Sequence, residues 1–225
     1  MIVIAMAAAL LAQEQTPDPA AAEQVMRSME GLLDEVDEVS EELEADSGAE
    51  GTARAIVRMT EAVFANSPYP IFSLVDRETV IEQATPAMDT LMNYSGGTPS
   101  DYSLDYAANA FRLSEDGSSE YAFCERGAET TIVDEMLTDP AGHELNFRIC
   151  WYGRMGEAEG ELIGSYIYQL SNGIYHVQYR GGIAGPDEAG IDERLPMIEA
   201  LIEPLVLHTV IAPGENQPQA DLDAD

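Results

Sequence analysis

Lysine is missing from this sequence. All ten basic residues among its 225 are arginine, and forty-two carboxylates oppose them, leaving a formal charge of -32. Without an ε-amino group the chain can neither place a lysine on nucleotide phosphates, as a P-loop requires, nor form a Schiff base. The acidic excess repels nucleic acid backbones and anionic membrane surfaces, so neither is expected as a partner. There are only two cysteines and three histidines. Neither Cys-x-x-Cys nor His at ligand spacing occurs, so no metal set and no cofactor is expected. G-x-S-x-G, H-E-x-x-H and the calcium-loop pattern are missing as well, and His143, His176 and His208 stand far apart. No catalytic residue is assigned, and activity as an enzyme is not the expected role.

What is present begins with "MIVIAMAAALLA", an apolar run of twelve residues followed by "QEQTPDPAAAEQ". A bilayer span needs about 20 residues, so no integral membrane span is expected. The length instead suits the apolar region of a signal peptide, with an incomplete start because no basic segment precedes it. A buried N-terminal helix is the alternative. Residues 13–52 then hold thirteen carboxylates and one arginine, Arg27. Val25, Met29, Leu32, Val36, Val39 and Leu43 recur at alternating spacings of four and three, the apolar stripe of a heptad helix. Such a stripe either docks an unknown protein partner or folds back as a hairpin on its own domain, and Glu35 and Glu42 beside it favour a basic partner. The domain organisation expected is a signal peptide over residues 1–12, an acidic helical arm over 13–66, an α+β domain over 67–212 and an acidic disordered tail over 213–225.

Within the domain, "SPYPIFSLVD" reads as a strand. Asp76 can cap a helix to about Ala84, and Thr85 with Pro86 starts a second one. Strand-like runs follow: "AANAFRLS", "EYAFCER", "TTIVDEMLT", "ELNFRICWY", "LIGSYIYQL" and "IYHVQYR", separated by turn residues. "LPMIEALIEPLVL" reads as a closing helix, with "LVLHTVIA" as an alternative last strand. If Asn172 and Gly173 form a two-residue turn, Tyr168 faces Val177, Tyr166 faces Tyr179 and Leu170 faces Tyr175. A similar closure of the preceding loop sets Trp151 against Leu162 and Phe147 against Tyr166. Large apolar residues then share one side of three strands, and Arg148, Cys150, Ser165, Gln169, His176, Gln178 and Arg180 share the other.

Cys124 lies on the more polar side of "YAFCER", as Cys150 does on "NFRICWY". Export would permit a Cys124–Cys150 disulfide, and free thiols are the alternative. Next-nearest strands lie about 9.6 Å apart, beyond the roughly 4.4–6.8 Å between Cα atoms that a disulfide spans. The bond therefore requires "TTIVDEMLT", whose alternation is poor, to leave the space between the two cysteine strands.

Two surfaces are candidates for binding. Phe147, Trp151, Tyr166, Tyr168, Tyr175 and Tyr179 could line a cavity for an apolar small molecule, or form an ordinary core against helices. Arg148, Ser165 and Arg180, placed across three strands, could grip an anion, or pair with nearby acids. The order of strand, short helices, antiparallel meander and closing helix, over residues 68 to 210, resembles the helix-grip lipid-binding fold. The fold expected is α+β, an antiparallel β-meander sheet packed on helices, preceded by the acidic helical arm. The function expected is an exported, periplasmic or secreted, non-enzymatic binding or protein-interaction module of the bacterial envelope. A carrier of an apolar molecule on the aromatic face is the first alternative, and an enzyme of unrecognised type the second.

Overall fold

A computed structural model describes residues 2–3, 31, 36–43, 45–67, 72–94, 103–112, 130–139, 142–152, 162–173 and 175–211. Its centre is an antiparallel sheet with helices on one face, the α+β architecture expected from the sequence. The strands are β1 (Ile2–Val3), β2 (Phe72–Leu74), β3 (Ser103–Arg112), β4 (Thr130–Thr138), β5 (Glu144–Tyr152), β6 (Leu162–Ser171), β7 (Tyr175–Gly185) and β8 (Thr209–Ile211). The helices labelled here are α1 (Ala49–Asn66), α2 (Arg77–Met92) and α3 (Glu188–Leu207). The large sheet runs β1-β3-β7-β6-β5-β4, with the two residues of β1 joining its edge in parallel, and β2 pairs with β8 in a separate ribbon.

The sheet is a meander from β4 to β7, but β3 departs from sequential order and pairs with β7, Ala108 opposite Tyr179. "TTIVDEMLT" is β4, paired with β5 from Thr130↔Tyr152 to Thr138↔Glu144. It does not leave the sheet, which corrects the expectation. Its poor alternation has a positional cause. β4 closes the sheet at the edge away from α3, which packs on β6 and β7, so Glu135 and Met136 are both exposed and Leu137 is half-buried.

Both expected registers shift by an even number of residues. Tyr168 faces Tyr179 and Leu170 faces Val177 across β6–β7, while Phe147 faces Leu170 and Trp151 faces Tyr166 across β5–β6. At the β6–β7 turn Asn172 closes on Tyr175 through N–H···O at 3.2 Å, and its side chain accepts the Tyr175 N–H at 2.8 Å. Gly173 carries the positive φ of 86° that the turn needs. Because side chains alternate with period two, an even shift leaves every residue on its expected face.

α2 is one helix where two were expected. Thr85 does not cap; its hydroxyl donates to the Ile81 carbonyl at 2.7 Å, and Pro86 sits inside the helix. Asp76 is the N-cap residue, in left-handed backbone at φ 53°, without a side-chain capping bond. α3 is capped by Asp187, whose carboxylate accepts from Gly190 N at 2.6 Å. It runs to Leu207, and β8 follows directly, so helix and strand both occur in the segment read as one or the other.

The arm expected over 13–66 divides in two. α1 belongs to the main core, with Ala53, Ile56, Val57 and Phe64 buried among residues of the sheet and α3. Residues 36–43 are helical and pack on the far side of α1. There Val39 is buried against Ala55 and Met59 with Val36 and Leu43 beside it, and Arg58 of α1 bonds Glu38 and Glu42. The second half of the heptad stripe is thus used within the chain, while Val25, Met29 and Leu32 lie outside the described residues. So do the tail expected over 213–225 and most of the apolar run expected as a signal peptide.

Candidate functional site

The sheet has one face built from aromatic residues and another from polar ones, and the two have different fates. On the first, Phe147, Tyr168, Tyr175 and Tyr179 are buried and Tyr166 is half-buried; the side chain of Trp151 is outside the described set. α3 presses directly on this face. A β-carbon on Gly181 would come within 2.6 Å of Ile198 Cγ2 and closer still to Ile202 Cδ1. One on Gly164 would meet Ile191 Cγ2 at 2.7 Å. Glycine at these two positions lets a helix lie nearly on the strand backbone. Phe64 of α1 packs edge-on to Tyr179 at 6.4 Å, and Phe147 lies 5.9 Å from Tyr168. Helix side chains fill the space that an apolar ligand would need.

The tyrosine hydroxyls find partners on the helices and β8. Tyr106 bonds Thr60 at 2.6 Å and Tyr179 bonds Thr209 at 2.5 Å, both buried. Tyr166 and Tyr168 lie near the Glu199 carboxylate of α3. Burial, followed by the Glu199 charge, pushes the Tyr166 phenol up to about 12 and raises Tyr168 further. Each of these hydroxyls stays protonated at neutral pH and acts as a structural donor.

The opposite face carries the more informative arrangement. Arg148, Gln169, Gln178 and Asn109 lie in one transverse row across β5, β6, β7 and β3. The next row holds Cys150, Ile167, Arg180 and Ala107, and Ser171 faces His176 on the other side. The expected grip is therefore not one row. Ser165 sits opposite Tyr152 and Gly182, four residues along β6 from the partner of Arg148, roughly 13 Å away at strand rise. Arg180 lies between them, 3.9 Å from Asp105 of β3.

This face is polar yet enclosed. Ser165, Gln169, His176 and Gln178 are 1%, 9%, 3% and 3% exposed, whereas Arg148 and Arg180 are half-buried. The Nε2 atoms of Gln169 and Gln178, on residues directly opposite each other, are buried and have no hydrogen-bond partner among the described residues. An amide group so placed costs about 1–3 kcal/mol unless something accepts its protons. Burial also holds the His176 imidazole down to about 4, so it is neutral at pH 7. The sequence already placed these glutamines on the polar side. It did not single them out, because burial of an outward face is not encoded in alternation.

A second polar centre lies where the β4–β5 turn meets β8. The Asp139 carboxylate, with its side chain fully shielded, accepts from His143 N and Nδ1, both at 2.9 Å, and from Ile211 N at 3.1 Å. Burial alone would raise this carboxyl, but the bonds from His143 and Ile211 outweigh it and bring it to about 2. The group ties the turn to the β2–β8 ribbon.

Cys150 is paired on both sides along the sheet, with Ile132 of β4 and Ile167 of β6. A strand carrying Cys124 cannot lie beside it in the sheet, so the adjacency on which the disulfide rested does not hold; Cys124 itself is outside the described residues. Among the described residues no cluster of three or more His, Cys, Asp or Glu could hold a metal, and no helix is long and apolar enough to cross a membrane. Comparison with protein-family models, curated proteins and solved structures finds no match.

Proposed function

We propose that this protein is an exported, non-enzymatic binding module of the bacterial envelope, and that it binds through the polar face of the sheet. The observation that carries the reading is the pair of buried Nε2 atoms on Gln169 and Gln178, which have no hydrogen-bond partner among the described residues. Folding tolerates such donors where a bound group supplies the acceptors. Export rests on the apolar run at residues 1–12 and the abrupt polar sequence after it, and its cleavage would remove the two residues of β1 from the sheet edge beside β3. The aromatic face is not offered as the site, since α3 and α1 side chains occupy it. A protein partner remains compatible with the upstream stripe of Val25, Met29 and Leu32, because Val36, Val39 and Leu43 already serve the α1 contact.

Native mass spectrometry of the mature protein, isolated from the bacterium that makes it, tests this reading. The expected spectrum has lost the N-terminal segment and carries a non-covalent adduct that disappears in Gln178→Leu. An intact N-terminus on the isolated protein would refute export. Wild type and variant both free of adduct would refute binding at this face.

A further inference from the structure

Resting on that reading, we infer that the polar face takes a carboxylate, held by the amide groups of Gln169 and Gln178 with Arg180 supplying the countercharge. The two glutamines occupy opposed positions on neighbouring central strands, β6 and β7. Their Cα atoms are therefore about 5 Å apart, and both side chains rise from the same face. Two N–H donors carried on one face of neighbouring strands can each meet one oxygen of a planar carboxylate.

The charges near this amide pair are two arginines, Arg148 and Arg180, with Asp105 the acid beside Arg180 and Asp134 at the position opposite Arg148 in the same row. Arg180 is the entry point. Its side chain is 35% exposed and lies two residues along β7 from Gln178, while its Nε is buried without a hydrogen-bond partner. Its contact with Asp105, at 3.9 Å, is long for a hydrogen bond. A guanidinium held so loosely can turn toward a second carboxylate at small cost. A monoanion suits the site better than a phosphate dianion. The amides are neutral, Asp105 offsets part of the Arg180 charge, and the field of the whole chain opposes each added negative charge.

The side-chain NH2 resonances of Gln169 and Gln178 in a 15N-labelled full chain report on this site directly. Titration would use sodium acetate and sodium succinate, with acetamide and inorganic phosphate as comparison probes at matched ionic strength. Both NH2 pairs are expected to shift together and saturably with the carboxylates, and to respond at least tenfold more weakly to acetamide and phosphate. Arg180→Gln, at a half-buried position on the face opposite the aromatic core, is expected to raise the apparent Kd about tenfold. Equal shifts with acetamide or phosphate would overturn the carboxylate assignment while leaving the face as a recognition surface. Resonances unmoved by every probe, with exchange cross-peaks to bound water, would overturn both.

Discussion

Gly181 offers the most direct test of how α3 sits on the sheet. In Gly181→Ala the new methyl would lie within 2.6 Å of Ile198 Cγ2 and nearer to Ile202 Cδ1, with Ile202 Cγ1 at 3.1 Å. Real β-carbons do not approach so closely, so Ile202 must leave its rotamer or α3 must lift from β7. Overpacking of this kind costs about 1–3 kcal/mol, against which the lower chain entropy of alanine returns at most about 1. A net loss of about 1–2 kcal/mol corresponds to a fall in Tm of roughly 2–8 °C for a domain of this size. The double variant makes the argument specific. Ile202→Val alone is expected to cost about 0.5–1.5 kcal/mol, yet it removes the Cδ1 methyl that the substituted residue would strike. In the Gly181→Ala background it is therefore expected to be neutral or stabilising, a coupling of about 1 kcal/mol or more. Urea unfolding of the four proteins measures that coupling. Strict additivity would refute the account of Gly181 as the place where helix and strand backbone meet.

Three further outcomes are expected. His176 titrates near 6.5 when unfolded and about 4 when folded. Its contribution is complete above pH 6.5 and is lost as pH falls to about 4, by up to about 3 kcal/mol. Acidification also relieves repulsion among the carboxylates, so the quantity to measure is the difference between wild type and His176→Gln in urea unfolding at pH 7 and 4.5; parallel profiles would count against the burial of this ring. Asp139 behaves likewise in a lower window: its stabilisation holds above about 3.8 and fades toward 2, and Asp139→Asn should flatten stability across that range. Val39→Asp places a charge among Ala55, Met59 and the carboxylates that Arg58 already balances. Residues 36–43 should then detach, seen as fast amide exchange there with protection of α1 unchanged; retained protection would place the arm's stability elsewhere.

Much of the sheet was legible in advance because alternation reports a face without reporting a partner. Phe147, Tyr168 and Tyr179 were assigned to one side and Arg148, Gln169 and Gln178 to the other, and registers shifted by two or four residues left those assignments intact. β4 was misread because the rule assumes a covered face. At the sheet edge Glu135 and Met136 are both in water, and the pattern blurs. The division of α2 into two helices over-weighted Thr85 and Pro86, whose capping chemistry gave way to packing of Val80, Ile81, Ala84 and Met88 on one continuous stripe. Asp139 opens the turn between β4 and β5. Nothing near it in sequence announces Ile211, seventy-two residues on, as its partner.

Side-chain inventory and local periodicity were enough to settle the classes of chemistry this chain cannot run, the α+β mixture, the two chemically distinct faces and the acidic character. Which face became core and which became the candidate site depended on packing between distant elements, and in particular on where α3 lands. Gly164 and Gly181 give it a flat seat on the aromatic side, and its side chains occupy the volume a ligand would need there. That leaves the buried Nε2 atoms of Gln169 and Gln178 on the opposite face among the donors without an acceptor in the described residues.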